Sequence, residues 1–178
     1  MSQGLGIPSL SLPGVRNTRK KIIRSQEFAG VGPSGWQPEA TFTTANAMYV
    51  NALVSLDDIW PKADMLFRVL WSTSSTTTTN TATWRVRIAK AALDTTALDG
   101  ITLTALDTAI TSDAAISTAN APLMTPQGKK IGGILADPTD LLMVTVDLNS
   151  VSGFSLDEFT GDRVTFLGVE IEYVRGQL

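Results

Sequence analysis

The chain has 178 residues, of which 17% are charged, and it contains no cysteine and no histidine. A chain of this length can bury a hydrophobic core without crosslinks, and the absence of cysteine excludes disulfides. Histidine is the commonest metal ligand and the commonest general base, so its absence argues against zinc sites and catalytic triads. The low charge, together with abundant serine and threonine, favours an all-β fold.

The first 40 residues differ from the rest of the chain in charge and composition. Residues 1–26 carry a charge of +5, whereas the remaining nine basic and seventeen acidic residues give −8. Residues 1–40 combine glycine, proline and serine with apolar residues that follow no period. Such a segment buries too little surface to offset its own ordering entropy. We therefore predict an extended N-terminal arm over residues 1–40, ordered by a partner or a sister subunit, and a domain over residues 41–178 that folds without residues 1–26.

The arm contains the candidate partner-binding residues. They are the basic side chains that precede the first acidic residue, namely Arg16, Arg19, Lys20, Lys21 and Arg24. No aromatic residue is interleaved with them to stack on bases, which favours an acidic protein surface over nucleic acid. A dinucleotide-binding pattern follows at Gly30, Gly32 and Gly35, but Pro33 interrupts it, so we expect a turn there and no cofactor.

Two strongly alternating segments, residues 65–71 and 83–89, form the centre of the predicted domain. The strand period of two predicts one inward-facing set in each segment. These sets are Phe67, Val69 and Trp71 in the first segment and Trp84, Val86 and Ile88 in the second. The spacer between them is far longer than a tight hairpin turn, so it can carry the chain from one sheet to a facing one. We predict that Trp71 and Trp84 meet in the core.

Further segments have the composition of strands. Residues 41–56 form the first strand region, and residues 141–148 are a continuous apolar run that is typical of a central strand. Residues 123–125 and 129–135 are short strands around a turn. With the closing strand, these segments predict an all-β fold: a single jelly-roll sandwich of about eight antiparallel strands with the extended N-terminal arm.

The closing strand, residues 163–175, carries two specific predictions. Its buried residues are expected to be Leu167, Val169, Ile171 and Tyr173, and Gly168 indicates a bulge or a close backbone approach. Jelly-roll order would place this strand beside residues 83–89 in one sheet. Its outward Glu170 and Glu172 are then expected to meet Arg85 and Arg87 as cross-strand ion pairs.

The order of motifs from residue 49 onward resembles that of jelly-roll structural proteins of tailed bacteriophages. Residues 66–72, Leu-Phe-Arg-Val-Leu-Trp-Ser, are followed by a spacer and by the strand that begins with Trp84-Arg85-Val86. An apolar strand comes after the Asp-Pro of residues 137–138, and residues 166–173 read Phe-Leu-Gly-Val-Glu-Ile-Glu-Tyr. The chain departs from the family at Asp147-Leu148-Asn149, where a basic residue is frequent.

This resemblance implies a structural protein of the virion, a capsid decoration or cement protein anchored through its basic arm. Its partners would be other virion proteins, with the major capsid protein favoured. Because decoration proteins commonly occupy local threefold positions, a homotrimer is the favoured oligomer. No stretch of about eighteen apolar residues is present, so no membrane partner is expected. The alternative is a host-receptor or glycan-binding module of a tail fibre that binds through its threonine-rich loops.

Two acidic pairs are the candidates for catalysis or metal binding: Asp57-Asp58 and Asp157-Glu158. Adjacent residues on a strand point to opposite faces, and both pairs are beside turns where solvated acids are common. We therefore expect no enzymatic activity. A calcium site made from the same acids stays open as an alternative, although the regular Asp-x-Asp-x-Asp-Gly loop is missing.

Overall fold

The computed structural model describes residues 18–25, 29–31, 40–42, 49–56, 59, 63–92, 101–111, 113–132, 134–135, 139–154 and 162–175. These residues form twelve β-strands and no α-helix. The strands are β1 Thr18–Arg24, β2 Ala29–Val31, β3 Ala40–Phe42, β4 Tyr49–Ser55, β5 Met65–Thr73, β6 Thr81–Ala91, β7 Thr104–Ala105, β8 Asp113–Ala114, β9 Leu123–Met124, β10 Gly128–Lys130, β11 Leu141–Ser152 and β12 Val164–Val174.

The strands form two six-stranded sheets in which every pairing is antiparallel. The first sheet has the order β1-β12-β5-β10, with β3 also beside β12 and β9 beside β5. The second has the order β2-β4-β11-β6-β7, with β8 also beside β6. The last two long strands are therefore inserted between earlier ones, and β11 is a central strand as predicted. The all-β jelly-roll sandwich is confirmed.

The two tryptophans meet between the sheets, as predicted. Trp71 on β5 and Trp84 on β6 are 0% and 1% exposed, and their ring centroids are 6.3 Å apart at an interplanar angle of 58°. Because β5 and β6 belong to different sheets, the spacer between them carries the chain across the sandwich. Phe166 on β12 extends the cluster, with its centroid 6.1 Å from that of Trp84. Trp71 Nε1 donates to Asp113 Oδ2 at 3.2 Å, so the polar edge of this ring is satisfied.

The predicted contact of Arg85 and Arg87 with Glu170 and Glu172 is wrong. The arginines are on β6 in the second sheet, whereas the glutamates are on β12 in the first sheet. Arg85 instead lies opposite Asp147 of β11, and both guanidinium groups bind that carboxylate. The outward direction of these four side chains was predicted correctly, but the assignment of their strands to one sheet was not.

Gly168 is at a β-bulge, as predicted. The pairing of β12 with β5 shifts register between Phe166 and Gly168, and Gly168 has a φ of +153°. A Cβ atom at this position would be 2.3 Å from the carbonyl oxygen of Ile23, so the two backbones approach closely. The bulge also reverses the expected facing before it: Phe166 is fully buried, and the predicted core residue Leu167 is only half-buried.

Part of the segment predicted as an arm belongs to the sandwich. Over its whole length β1 pairs with β12, and Ile23 is 1% exposed within the core. Gly30, expected in a turn, lies in β2, which pairs with β4. The domain boundary at residue 40 stays a prediction. Removal of residues 1–26 would nevertheless remove β1, together with one buried core side chain.

Candidate functional site

On β1, the side chains of the predicted basic residues face both sides of the sheet. Lys20, Ile22 and Arg24 alternate with residues that face the other side of the strand, as the period of two requires. On that other side, the Lys21 ammonium donates to the carbonyl oxygen of Ser55 at 2.7 Å, which links β1 to the end of β4 in the second sheet. Arg19 on the same strand is exposed. Arg16 lies outside the described residues.

Lys20 belongs to an ion-pair cluster on the first sheet. Its Nζ is 3.2 Å from Glu170 Oε1 and 3.7 Å from Glu172 Oε2, and Arg68 Nη1 is 3.8 Å from Glu170 Oε1. The Glu170 side chain is only 8% exposed, whereas that of Lys20 is 53% exposed. Water therefore screens the lysine, and each exposed pair is worth at most about 1 kcal/mol. The cluster holds Lys20 in place, and its two cations and two carboxylates balance in formal charge.

Apolar side chains surround this cluster. Ile22 is 52% exposed directly opposite Glu170, and Met124 on β9 is 42% exposed. Arg68 Nη1 also donates to the Met124 sulfur at 3.4 Å, so its guanidinium spans the charged and the apolar parts. We call this surface the outer face of the first sheet; it consists of Lys20, Ile22, Leu66, Arg68, Leu70, Met124, Glu170 and Glu172. Ile22 and Met124 thus give this face exposed apolar surface beside an ion-paired cluster.

The structure thus brings only some of the predicted site residues together. Lys20 and Arg24 project on the side of the outer face of the first sheet, whereas Lys21 does not. Sequence reasoning missed Ile22, because an Ile-Ile pair gives no alternation that would mark one member as exposed. It also missed Met124, since an isolated methionine in a short strand carries no pattern of its own.

Two carboxylates hold the turn that follows β10. Asp107 accepts hydrogen bonds from Lys130 Nζ at 2.9 and 3.1 Å and from the Ile131 amide at 2.7 Å. The Gly132 amide donates to Asp64 at 2.8 Å. The Lys130 ammonium, followed by the Ile131 amide, lowers the pKa of Asp107 from its ordinary value of 3.8. Ile131 is 59% exposed on this doubly anchored turn.

The acidic pairs considered for catalysis or calcium, Asp57-Asp58 and Asp157-Glu158, lie outside the described residues. Within the part of the chain that the structure describes, no group of three or more His, Cys, Asp or Glu side chains is placed to hold a metal ion. The same residues include no helix that is long and apolar enough to cross a membrane.

No protein-family model matches the sequence, and no curated protein matches it. Among solved structures, the chain is similar to the CBM22-1–GH10 modules of the Clostridium thermocellum endo-1,4-β-D-xylanase 10B complexed with xylohexaose, at 12% identity and a TM-score of 0.42. That match covers 88% of this chain and 28% of the xylanase chain.

Two further solved structures are similar at the same level. The CBM22-1 xylan-binding domain of Paenibacillus barcinonensis Xyn10C has 9% identity and a TM-score of 0.38, and the match covers 90% of this chain and 86% of that domain. The infectious bursal disease virus Gx strain structure has 11% identity and a TM-score of 0.31 over 88% of this chain and 31% of the viral chain. The likeness is one of fold. These values are too low to transfer a ligand or a partner to this chain.

Proposed function

We propose that the protein is a structural protein of a phage virion, of the capsid decoration or cement type. It binds another virion protein, with the major capsid protein favoured, through the outer face of the first sheet. The observation that carries the proposal is the position of β1. Its exposed Ile22 and the side chains of Lys20 and Arg24 share one surface with the charged cluster of β12 and β5, and β1 itself lies within the predicted arm.

Apolar and charged residues have separate roles on this face. Full burial of an isoleucine or methionine side chain is worth about 1.5 to 3 kcal/mol, and Ile22 and Met124 each have roughly half of that surface still available. These two side chains supply the attachment energy. Arg24 on this face and Arg19 on the other side of the same strand are both exposed, and their charges attract an acidic partner over a screening length of about 10 Å at moderate ionic strength.

The homotrimer and the virion location belong to the same proposal. Strand β1 is at one end of the first sheet, and among the described strands only β12 pairs with it. The opposite backbone edge of β1 can therefore contact a sister subunit or the shell beside it. The mass of the free protein in solution, measured by sedimentation equilibrium, tests the trimer separately from attachment.

The attachment test uses full-length protein and particles of its phage that were assembled without it. Occupancy is measured by co-sedimentation and by electron cryomicroscopy. Ile22→Asp is expected to reduce occupancy at least tenfold, because it places a carboxylate in the apolar part of the contact. Leu53→Asp is the matched control, since Leu53 is 46% exposed on β4 of the opposite sheet and Ile22 is 52% exposed on β1. Thermal melting of both variants shows whether either is unfolded.

The outcomes distinguish the parts of the proposal. Full occupancy by Ile22→Asp would mean that the outer face of the first sheet is not the attachment surface. Equal loss with Leu53→Asp would point to the second sheet. Replacement of the five candidate basic residues by glutamine is expected to weaken binding more at low salt than at high salt. Wild-type protein that binds no particle under any condition would refute the virion function itself.

A further inference from the structure

The outer face of the second sheet contains a carboxylate that is shared by two guanidinium groups. Arg85 Nε is 2.9 Å from Asp147 Oδ1, and Arg85 Nη2 is 2.8 Å from Asp147 Oδ2. Arg87 Nη2 donates to the same Oδ2 at 3.1 Å. The Asp147 side chain is 4% exposed, and those of Arg85 and Arg87 are 43% and 31% exposed. Two positive charges face one negative charge, so one positive charge is in excess.

Arg87 also has a buried donor that its surroundings do not satisfy. Its Nε is buried and has no hydrogen-bond partner in the described part of the chain. Leaving such a group without an acceptor is unfavourable, and more so for a charged group, so each case needs a physical explanation. The excess charge belongs to the same guanidinium, and because the Arg87 side chain is 31% exposed, an oxyanion can reach this group and balance the charge, although the buried Nε itself is closed to it.

Neighbouring side chains supply polar contacts in the same row of the sheet. Asn51 on β4, Thr145 on β11 and Arg87 on β6 lie directly opposite one another. The Thr145 hydroxyl donates to Asn51 Oδ1 at 2.7 Å, which leaves the amide nitrogen of Asn51 to act as a donor. Since adjacent strands are about 4.8 Å apart, the row spans about 10 Å from the backbone of β6 to that of β4.

The next row of the same face is apolar. It consists of Leu53, Met143 and Ala89, which are opposite one another in the register of β4, β11 and β6. Leu53 is 46% exposed, whereas Ala89 is buried. Thr145 at the centre of the polar row is fully buried, so a ligand over this row would contact Arg87 at one end, Asn51 at the other and the exposed Leu53 beside it. A sugar ring, with hydroxyl groups on its rim and C–H groups on its face, has this combination of surfaces.

We propose that the outer face of the second sheet binds a sugar acid, with its carboxylate on Arg87 and Arg85 and its ring hydroxyls toward Asn51. A carboxylate is favoured over a phosphate because a single positive charge is in excess, and because a planar pair of oxygens fits the guanidinium fork. The site is on the sheet opposite the proposed virion attachment face. It would therefore remain accessible on an attached molecule, and it does not depend on the proposed function.

The probes are glucuronate and N-acetylneuraminate, titrated into the full-length protein and followed by calorimetry and by NMR. Glucose and acetate are the comparison ligands, since glucose lacks the carboxylate and acetate lacks the sugar ring. We expect at least one sugar acid to bind at least tenfold more tightly than either comparison ligand. Arg87→Gln is expected to weaken that binding at least tenfold. Arg68→Gln, a half-buried arginine in an ion pair on the first sheet, is the matched control and should leave it unchanged.

Two further measurements test the proposal even if Arg87→Gln does not fold. Arg87→Lys retains the charge but loses the fork, and it is expected to bind with intermediate affinity. In the wild type, the Nε–H resonances of Arg85 and Arg87 should shift on titration, which requires no variant. If acetate or a glutamate-rich peptide binds as tightly as the sugar acids, the site is a plain carboxylate site and the proposal is wrong. It is equally wrong if neither sugar acid binds or if Arg68→Gln and Arg87→Gln have the same effect.

Discussion

Substitution of Gly168 by alanine should detach β1 from β12 while the rest of the sandwich stays folded. The new Cβ atom would be 2.3 Å from the carbonyl oxygen of Ile23 and 3.2 Å from the Cα atom of Arg24. Both contacts are with backbone atoms of β1, so no side-chain rotation can relieve them. Because β1 is at the end of its sheet, the least costly relief is to move β1 away from β12.

Two terms contribute to the expected loss of stability. The φ of +153° at Gly168 is one that residues with a Cβ atom rarely adopt, which costs about 1 to 3 kcal/mol. Overpacking against β1 adds about 1 to 3 kcal/mol. Gly132→Ala provides the control, because Gly132 has a φ of +69° but no atom within 4 Å of the added Cβ. Gly132→Ala should therefore lower the free energy of unfolding only by the cost of the positive φ, about 1 to 2 kcal/mol.

Denaturant unfolding of the two variants, together with hydrogen exchange of the backbone amides, separates these terms. Gly168→Ala should lower the free energy of unfolding by more than Gly132→Ala does, and exchange should accelerate selectively in Thr18–Arg24. Amides of β6 and β11 should retain most of their protection, because they belong to the other sheet. Equal losses in both variants, with unchanged exchange in β1, would show that the close approach of β1 to the bulge is wrong.

Three other predictions test the core and one surface carboxylate. Trp84→Ala should lower the free energy of unfolding by about 3 to 5 kcal/mol, since the ring is 1% exposed. Denaturant unfolding measures this loss, and a much smaller value would contradict the burial of the ring. Thr125→Val should cost about 1 to 3 kcal/mol in the same assay, because the buried Val69 amide loses its 2.9 Å acceptor; an unchanged midpoint would contradict that hydrogen bond. NMR titration should place the pKa of Asp107 below 3.8, and Lys130→Gln should raise it. Since the folded-state pKa is lowered, the contribution of Asp107 to stability should be present above pH 3.8 and should be lost as the pH falls through the folded value.

The alternation of apolar and polar residues predicted which side chains are inside on β5 and β6. Phe67, Val69, Trp71, Trp84 and Ile88 are all 0–1% exposed. Alternation is a local property of an extended chain, so it needs no knowledge of the neighbouring strands. Alternation fails where the backbone is irregular: because of the bulge at Gly168, Leu167 is half-buried and not in the core as expected.

Strand neighbours could not be predicted in the same way. Arg85 and Glu170 each face outward as expected, but outward charges do not reveal which sheet a strand joins. The partners are chosen by pairing between distant segments, and that pairing placed β6 next to β11 rather than β12. Strand β1 was missed for a related reason. Lys20 to Ile23 do not alternate, and a strand forms there because β12 offers an edge rather than because its own sequence demands one.

The pairing of β1 with β12 also sets an order of events during synthesis. Lys20 and Glu170, which meet in the folded protein, are 150 residues apart in the chain. At roughly 5 to 20 residues per second, about 8 to 30 s pass on the ribosome between the synthesis of these two residues. Throughout that interval β1 has no strand to pair with, and the face that it completes does not yet exist. A growing chain that has not yet reached β12 therefore lacks this face, because Glu170 and Glu172 and the partner strand of β1 are all still to be made.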